Sequence, residues 1–136
     1  MLPEHNRDVR ELSPVALAFV GDGVYEVLVR QRLVIETRLQ PGKLHSHAVK
    51  FVSASGQSRI LEFLMPFLTE EEQAVVQRGK NSSKASVAKH ATPQQYRAST
   101  AFESLIGWLY LQHKQQRIEE LFEKFWKEFS PEFLAQ

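Results

Sequence analysis

The stretch Leu17-Ala18-Phe19-Val20-Gly21-Asp22-Gly23-Val24 lies within a run, Val15 to Val29, whose only charges are Asp22 and Glu26. Ser13 followed by Pro14 supplies a helix cap with proline at the first helical position, so the run opens a helix that continues through Arg32. A helix apolar nearly all round is expected to be buried, and a buried carboxylate is costly unless a cation, a metal or a hydrogen-bond network faces it. Something must therefore stand opposite Asp22. Glycine inside a helix costs about 1 kcal/mol against alanine, so Gly21 and Gly23 beside that carboxylate point to close approach by a neighbouring helix or a ligand.

A second lone acid repeats the pattern. Glu103 is the only acidic residue between Glu72 and Glu119 and lies inside Ala101-Phe102-Glu103-Ser104-Leu105-Ile106. Its helix is opened by Thr92-Pro93-Gln94-Gln95, a capping box with proline at the first helical position, and is expected to reach about His113. Between the two acids, Leu44, Ala48, Phe51 and Val52 follow Pro41-Gly42 at helical spacing, with a short continuation from Gln57 to Leu64 before Pro66. Thr69-Glu70-Glu71-Glu72 caps another helix, expected to run to about Arg78. The last helix, Ile118 to Phe129, carries Ile118, Leu121, Phe122, Phe125 and Trp126 on one stripe. No convincing strand pattern occurs, so the fold class is all-α. A chain of 136 residues supports one core, and a single domain over 1–136 with its core at about 13–129 is expected.

Composition removes several chemistries. Without cysteine there are no disulfides, thiolate metal sites or thiol nucleophiles, and a reducing, cytoplasmic setting is expected. Neither a signal segment nor a membrane span is recognisable. The five histidines, His5, His45, His47, His90 and His113, form no zinc pair at i, i+4, and His45 and His47 point to different helix faces. No phosphate-binding glycine loop or nucleophile elbow appears. A net charge of +1 decides nothing about nucleic acid, but its distribution is uneven. From Arg78 to Phe102 there are Arg78, Lys80, Lys84, Lys89, Arg97 and His90, and no acid. The segment Asn81 to Ala91 is expected to be an exposed, mobile basic loop; it supports nucleic-acid contact and equally suits a solvated surface.

Physics leaves two readings of Asp22 and Glu103 open. In one, each carboxylate is paired structurally, Arg97 being a candidate for Glu103, or lies at a helix edge facing water. In the other, the two helices pack and bring both acids to one hard-cation site. Mg²⁺ takes oxygen ligands, commonly one or two carboxylates, and keeps several waters, so two acids on rigid helices suffice. Glu26 is read as a surface partner of Arg30 at i+4.

These residues resemble a known family. Leu17 to Val24 is similar to the signature helix of ribonuclease III catalytic domains, and Thr100-Ala101-Phe102-Glu103-Ser104-Leu105-Ile106-Gly107 to their second acidic helix. Order, spacing and the intervening Arg78-Gly79-Lys80 loop fit, over Ser13 to about Lys114. With no double-stranded-RNA-binding domain following, the chain resembles the Mini-III branch. The resemblance implies an all-helical ribonuclease III-like endonuclease domain and a homodimer with Phe19 inserted into the partner. It also implies Mg²⁺, replaceable by Mn²⁺, held by Asp22 and Glu103. Thr100, one turn before Glu103, departs from the family's acid, and its hydroxyl is expected to hold a metal-bound water. The implied chemistry is cleavage of double-stranded RNA to 5′-phosphate products. The implied substrate is precursor 23S rRNA in pre-50S particles, with a large-subunit ribosomal protein as helper. Full-length ribonuclease III has further acids at the positions of Val15, Ala18 and Thr100. The competing expectation is a non-catalytic RNA-binding or ribosome-associated helical module.

Overall fold

Helix starts form where the caps predict. In the computed structural model, which describes residues 8–82 and 91–135, the Ser13 hydroxyl accepts from the Ala16 amide at 3.1 Å. At Thr69 and Thr92 both halves of the capping box are made. Each threonine hydroxyl accepts from the amide three residues on, at 3.1 Å, and the Glu72 and Gln95 side chains accept from the threonine amides at 2.9 and 3.0 Å. Orphan amides at these helix starts are thereby satisfied locally.

The helices are α1 Pro14–Glu36, α2 Pro41–Val52, α3 Ala54–Leu64, α4 Glu70–Ser82, α5 Pro93–Leu111 and α6 Gln115–Phe133, with no strand among the described residues. The chain is an all-helical single domain built around α5. That helix is buried at Ala101, Phe102 and every position from Ser104 to Leu109, and α1, α3, α4 and α6 pack on it. Tyr25 of α1 meets Phe102 edge-on with ring centroids 4.9 Å apart, and Phe125 of α6 completes the cluster. Such aromatic pairs add about 0.5–1.5 kcal/mol to the area they bury. Among the described residues no helix is long and apolar enough to cross a membrane.

Four expectations are corrected. The segment after Pro41 divides at Ser53, which closes α2 with its amide on the Val49 carbonyl and caps α3 with its hydroxyl on the Gly56 amide. Helix α4 runs on to Ser82, so Arg78-Gly79-Lys80 is helical and not a loop. Gly79 is buried there, and a Cβ on it would lie 2.7 Å from the Ala101 Cα, so the turn is fixed by its packing on α5. Helix α6 passes Phe129 and Pro131 to reach Phe133, whose ring packs edge-on against Phe51.

The fourth correction concerns α1, which is not buried all round. Leu17, Gly21, Tyr25, Val29 and Leu33 face inward, while Phe19 is 85% and Val27 61% exposed, with Val15, Val34 and Ile35 also open. Apolar composition overstated its burial because it cannot distinguish a covered face from an uncovered one.

Candidate functional site

Two glycines set the site. Helices α1 and α5 meet backbone to backbone: a Cβ on Gly21 would lie 1.8 Å from the Glu103 carbonyl oxygen, and one on Gly107 would lie 1.9 Å from that of Leu17. Only residues without a Cβ permit both approaches. Asp22 follows Gly21 directly, so the notch brings its carboxylate close enough to Glu103 for its charge to raise the Glu103 carboxyl. Gly23 has no such neighbour among the described residues; its Cβ would meet none of them within 4 Å. The expected close approach therefore holds for one glycine of the pair.

The two acids occupy different environments. Asp22 is exposed at the edge of α1's inward face, which is the helix-edge alternative and not a buried carboxylate. Glu103 is half-buried and accepts a hydrogen bond at 3.1 Å from the Gln57 side chain. Burial pushes the Glu103 carboxyl up to about 8; the Gln57 N–H pulls it the other way, and the charges of Asp22 and Glu26 reinforce the rise. Arg97 does not pair with Glu103, whose carboxylate accepts from Gln57 and feels the charge of Asp22. Six residues before Glu103, Arg97 sits about 240° round the helix. Glu26 pairs with Arg30 at 3.2 Å, as expected.

The neighbouring Tyr25 is fully buried and its hydroxyl donates to the Phe51 carbonyl at 2.9 Å. Burial and then the charges of Glu103 and Glu26 hold its phenol well above the ordinary range. It stays neutral and serves as a strut between α1 and α2.

Of the expected RNA-contacting residues, Lys80 and Arg97 line one groove with Ser58, Glu62 and Gln94, while Arg78 is exposed on α4. Lys84 and Lys89, with most of the expected basic loop, lie outside the described residues. The Thr100 hydroxyl donates to the Tyr96 carbonyl at 3.2 Å, one turn before Glu103. Phe19 stands one turn before Asp22 on the exposed side of α1.

The donor set fits a hard cation. Two carboxylates held together repel each other, and a divalent ion with oxygen preference relieves that repulsion while keeping waters in its remaining positions. No cluster of three or more His, Cys, Asp or Glu side chains suited to a metal occurs among the described residues, so the protein's described contribution is the pair. Gln57 was not expected as a site residue. The signal was present, since it is an amide at the head of the buried stripe Ile60, Leu61 and Leu64, the same anomaly that marked the two acids.

Residues 15–114 match the family model for the ribonuclease III domain. Mini-ribonuclease 3 of Symbiobacterium thermophilum is 46% identical over 110 residues, covering 81% of this chain and 85% of the relative. Mini-ribonuclease 3 of Brevibacillus brevis is 46% identical over 118 residues, covering 87% and 88%. That of Staphylococcus aureus is 37% identical over 123 residues, covering 89% and 92%. A crystal structure of a Fusobacterium nucleatum protein is similar with a TM-score of 0.80 and 28% identity, covering 89% of this chain and 98% of that one.

Proposed function

The chain belongs to the ribonuclease III domain family, in its Mini-ribonuclease 3 group, and is an endoribonuclease of that type; from this premise we propose how it acts and on what. It hydrolyses phosphodiester bonds of double-stranded RNA with Mg²⁺ held by Asp22 and Glu103. The observation that carries this reading is the carboxylate pair at the Gly21–Gly107 notch. When bound, the cation neutralises phosphate charge and makes water at the site more acidic. Glu103, on the rigid central helix, would supply a fixed anchor for the cation, and Asp22 its solvent-facing ligand. Thr100 lies one turn from Glu103 and orients water through its hydroxyl. Lys80 and Arg97, with Arg78, Lys84 and Lys89, hold the RNA backbone; A-form RNA is recognised mostly by shape and by phosphate and 2′-hydroxyl contacts.

The working form is a homodimer. Support comes from the uncovered apolar stripe of α1, from Val15 through Phe19 to Val27, and from an apolar groove between α1 and α2 lined by Leu33, Val34, Leu44, Ala48 and Val52. Phe19 is the residue assigned to enter the partner. The substrate is the paired stalk of precursor 23S rRNA in cytoplasmic pre-50S particles, with a large-subunit ribosomal protein assisting. A non-catalytic RNA-binding module is the second reading, favoured by the small number of acids at the site.

Cleavage of a duplex RNA in Mg²⁺, followed for wild type, Asp22→Asn and Glu103→Gln, tests the assignment. Loss of a charged ligand removes several kcal/mol of transition-state stabilisation, so each variant is expected to fall about a thousandfold or more. Wild type that binds but does not cut establishes the second reading; variants that cut normally remove the carboxylates from the mechanism.

A further inference from the structure

Gln57 is 2% exposed and spends both side-chain N–H groups on acceptors from other elements: the Val52 carbonyl at 2.9 Å and Glu103 Oε2 at 3.1 Å. Among the described residues its Oε1 is buried without a hydrogen-bond partner. An unpaired buried amide oxygen is costly, and a leucine or methionine continuing the stripe of Ile60, Leu61 and Leu64 would avoid that cost. Turning the amide over would set its oxygen against a carbonyl and a carboxylate, which is worse. The orientation is therefore dictated by two acceptors that need donors, and one of them is the Glu103 carboxylate.

The other acceptor places Gln57 within a frame. Val52 ends α2, and the preceding carbonyl, that of Phe51, receives the Tyr25 hydroxyl from α1. Helices α1, α2, α3 and α5 are thus joined by polar contacts within a few residues of the carboxylate pair. We propose that Gln57 is a positioning residue for the nuclease: by donating to Oε2 it fixes the Glu103 carboxylate, leaving its other oxygen for the divalent cation. This inference rests on Glu103 being a cation ligand. Hydrogen bonds to metal-ligating side chains orient them, and losing one typically costs about 10–100-fold in metal affinity or activity.

The test uses Mn²⁺ binding to the RNA-free protein, read by electron paramagnetic resonance, with kcat and KM for duplex cleavage measured separately. Gln57→Met deletes the donors with little change of length. Gln57→Asn keeps an amide but withdraws it by one methylene, giving a second route if the first variant folds poorly. Either folded variant, verified by its helical circular dichroism, is expected to bind Mn²⁺ about 10–100-fold more weakly and to lose kcat with KM for RNA unchanged. Wild-type Mn²⁺ affinity and kcat in a folded variant overturn the role of Gln57 and leave the carboxylate site intact. Glu103→Gln is the control for the underlying reading: if it binds Mn²⁺ as wild type does, Glu103 is not a ligand, and the proposal falls with it.

Discussion

Gly21 and Gly23 flank the same aspartate, yet one faces the core of the protein and the other meets no atom of the described residues. On the inner face of α1, Leu17, Gly21, Tyr25 and Val29 are packed inward, and a missing Cβ lets the backbones of α1 and α5 touch. The outer face is no less apolar, with Val15, Phe19 and Val27, but nothing among the described residues covers it. Asp22 lies where the two faces meet. A single helix therefore presents two unlike faces: its inside is held against α5 beside Glu103, and its outside carries exposed apolar side chains, the face assigned to a second subunit in the proposed homodimer.

The largest effect is expected from filling the inner notch. Gly21→Ala drives a methyl into the Glu103 carbonyl, and backbone cannot move aside as a flexible side chain can. Overpacking of this kind costs about 3 kcal/mol, and the separation of α1 from α5 also pulls Asp22 away from Glu103. Chemical denaturation is expected to show the lost stability and duplex cleavage the lost activity; a variant as stable and active as wild type would show the notch to be dispensable.

Next in size is the outer face. Phe19→Ala is expected to leave monomer folding little changed but to weaken dimerisation about thirtyfold, the loss typical of a buried aromatic anchor worth about 2 kcal/mol. Sedimentation equilibrium reads this directly. An unaltered dimer constant would mean that the exposed stripe serves something else.

The edge between the faces is probed by pH. Because the folded-state Glu103 carboxyl is raised from 4.5 to about 8, its ionisation opposes folding. Its unfavourable contribution is absent below the unfolded pKa, grows as pH rises from about 4.5, and is complete above about 8. Metal-free Glu103→Gln should therefore match wild type near pH 4 and exceed it by about 1–2 kcal/mol at pH 8, allowing for relaxation and water around a half-buried group. Thermal melts across that range check the sign; a difference that does not grow with pH contradicts it.

The smallest effect belongs to the outward glycine. Gly23→Ala meets no atom of the described residues, so helix propensity alone is expected to stabilise the isolated subunit by about 0.5–1 kcal/mol, read from its thermal melt. If the same change weakens dimerisation, Gly23 also lies at the subunit contact, and α1 uses one glycine on each side.

Much of the site was legible in particular residues. Asp22 and Glu103 stood out as acids within apolar runs, and capping at Ser13, Thr69 and Thr92 located the starts of three helices, those of both acids among them. Whether Asp22 is buried or lies at a helix edge was not legible, because periodicity gives the helix but not its coverings. By sequence Arg78-Gly79-Lys80 falls at the start of the basic loop, whereas the packing of Gly79 on Ala101 carries the helix through it. Gln57 carries the same mark, a polar residue heading the apolar stripe Ile60, Leu61 and Leu64, but only the packing of α3 on α5 shows that its amide meets Glu103.

The amino-acid sequence alone specified an all-helical chain, the starts of the helices capped at Ser13, Thr69 and Thr92, and which carboxylates sit among apolar neighbours, since caps and periodicity act over a few residues. It took tertiary packing to turn Gly21 toward α5 and Gly23 outward, to give Glu103 the partner Gln57 and not Arg97, and to leave half of α1 uncovered. Those are distances between segments far apart in the chain, set by how whole helices pack, and no local pattern encodes them.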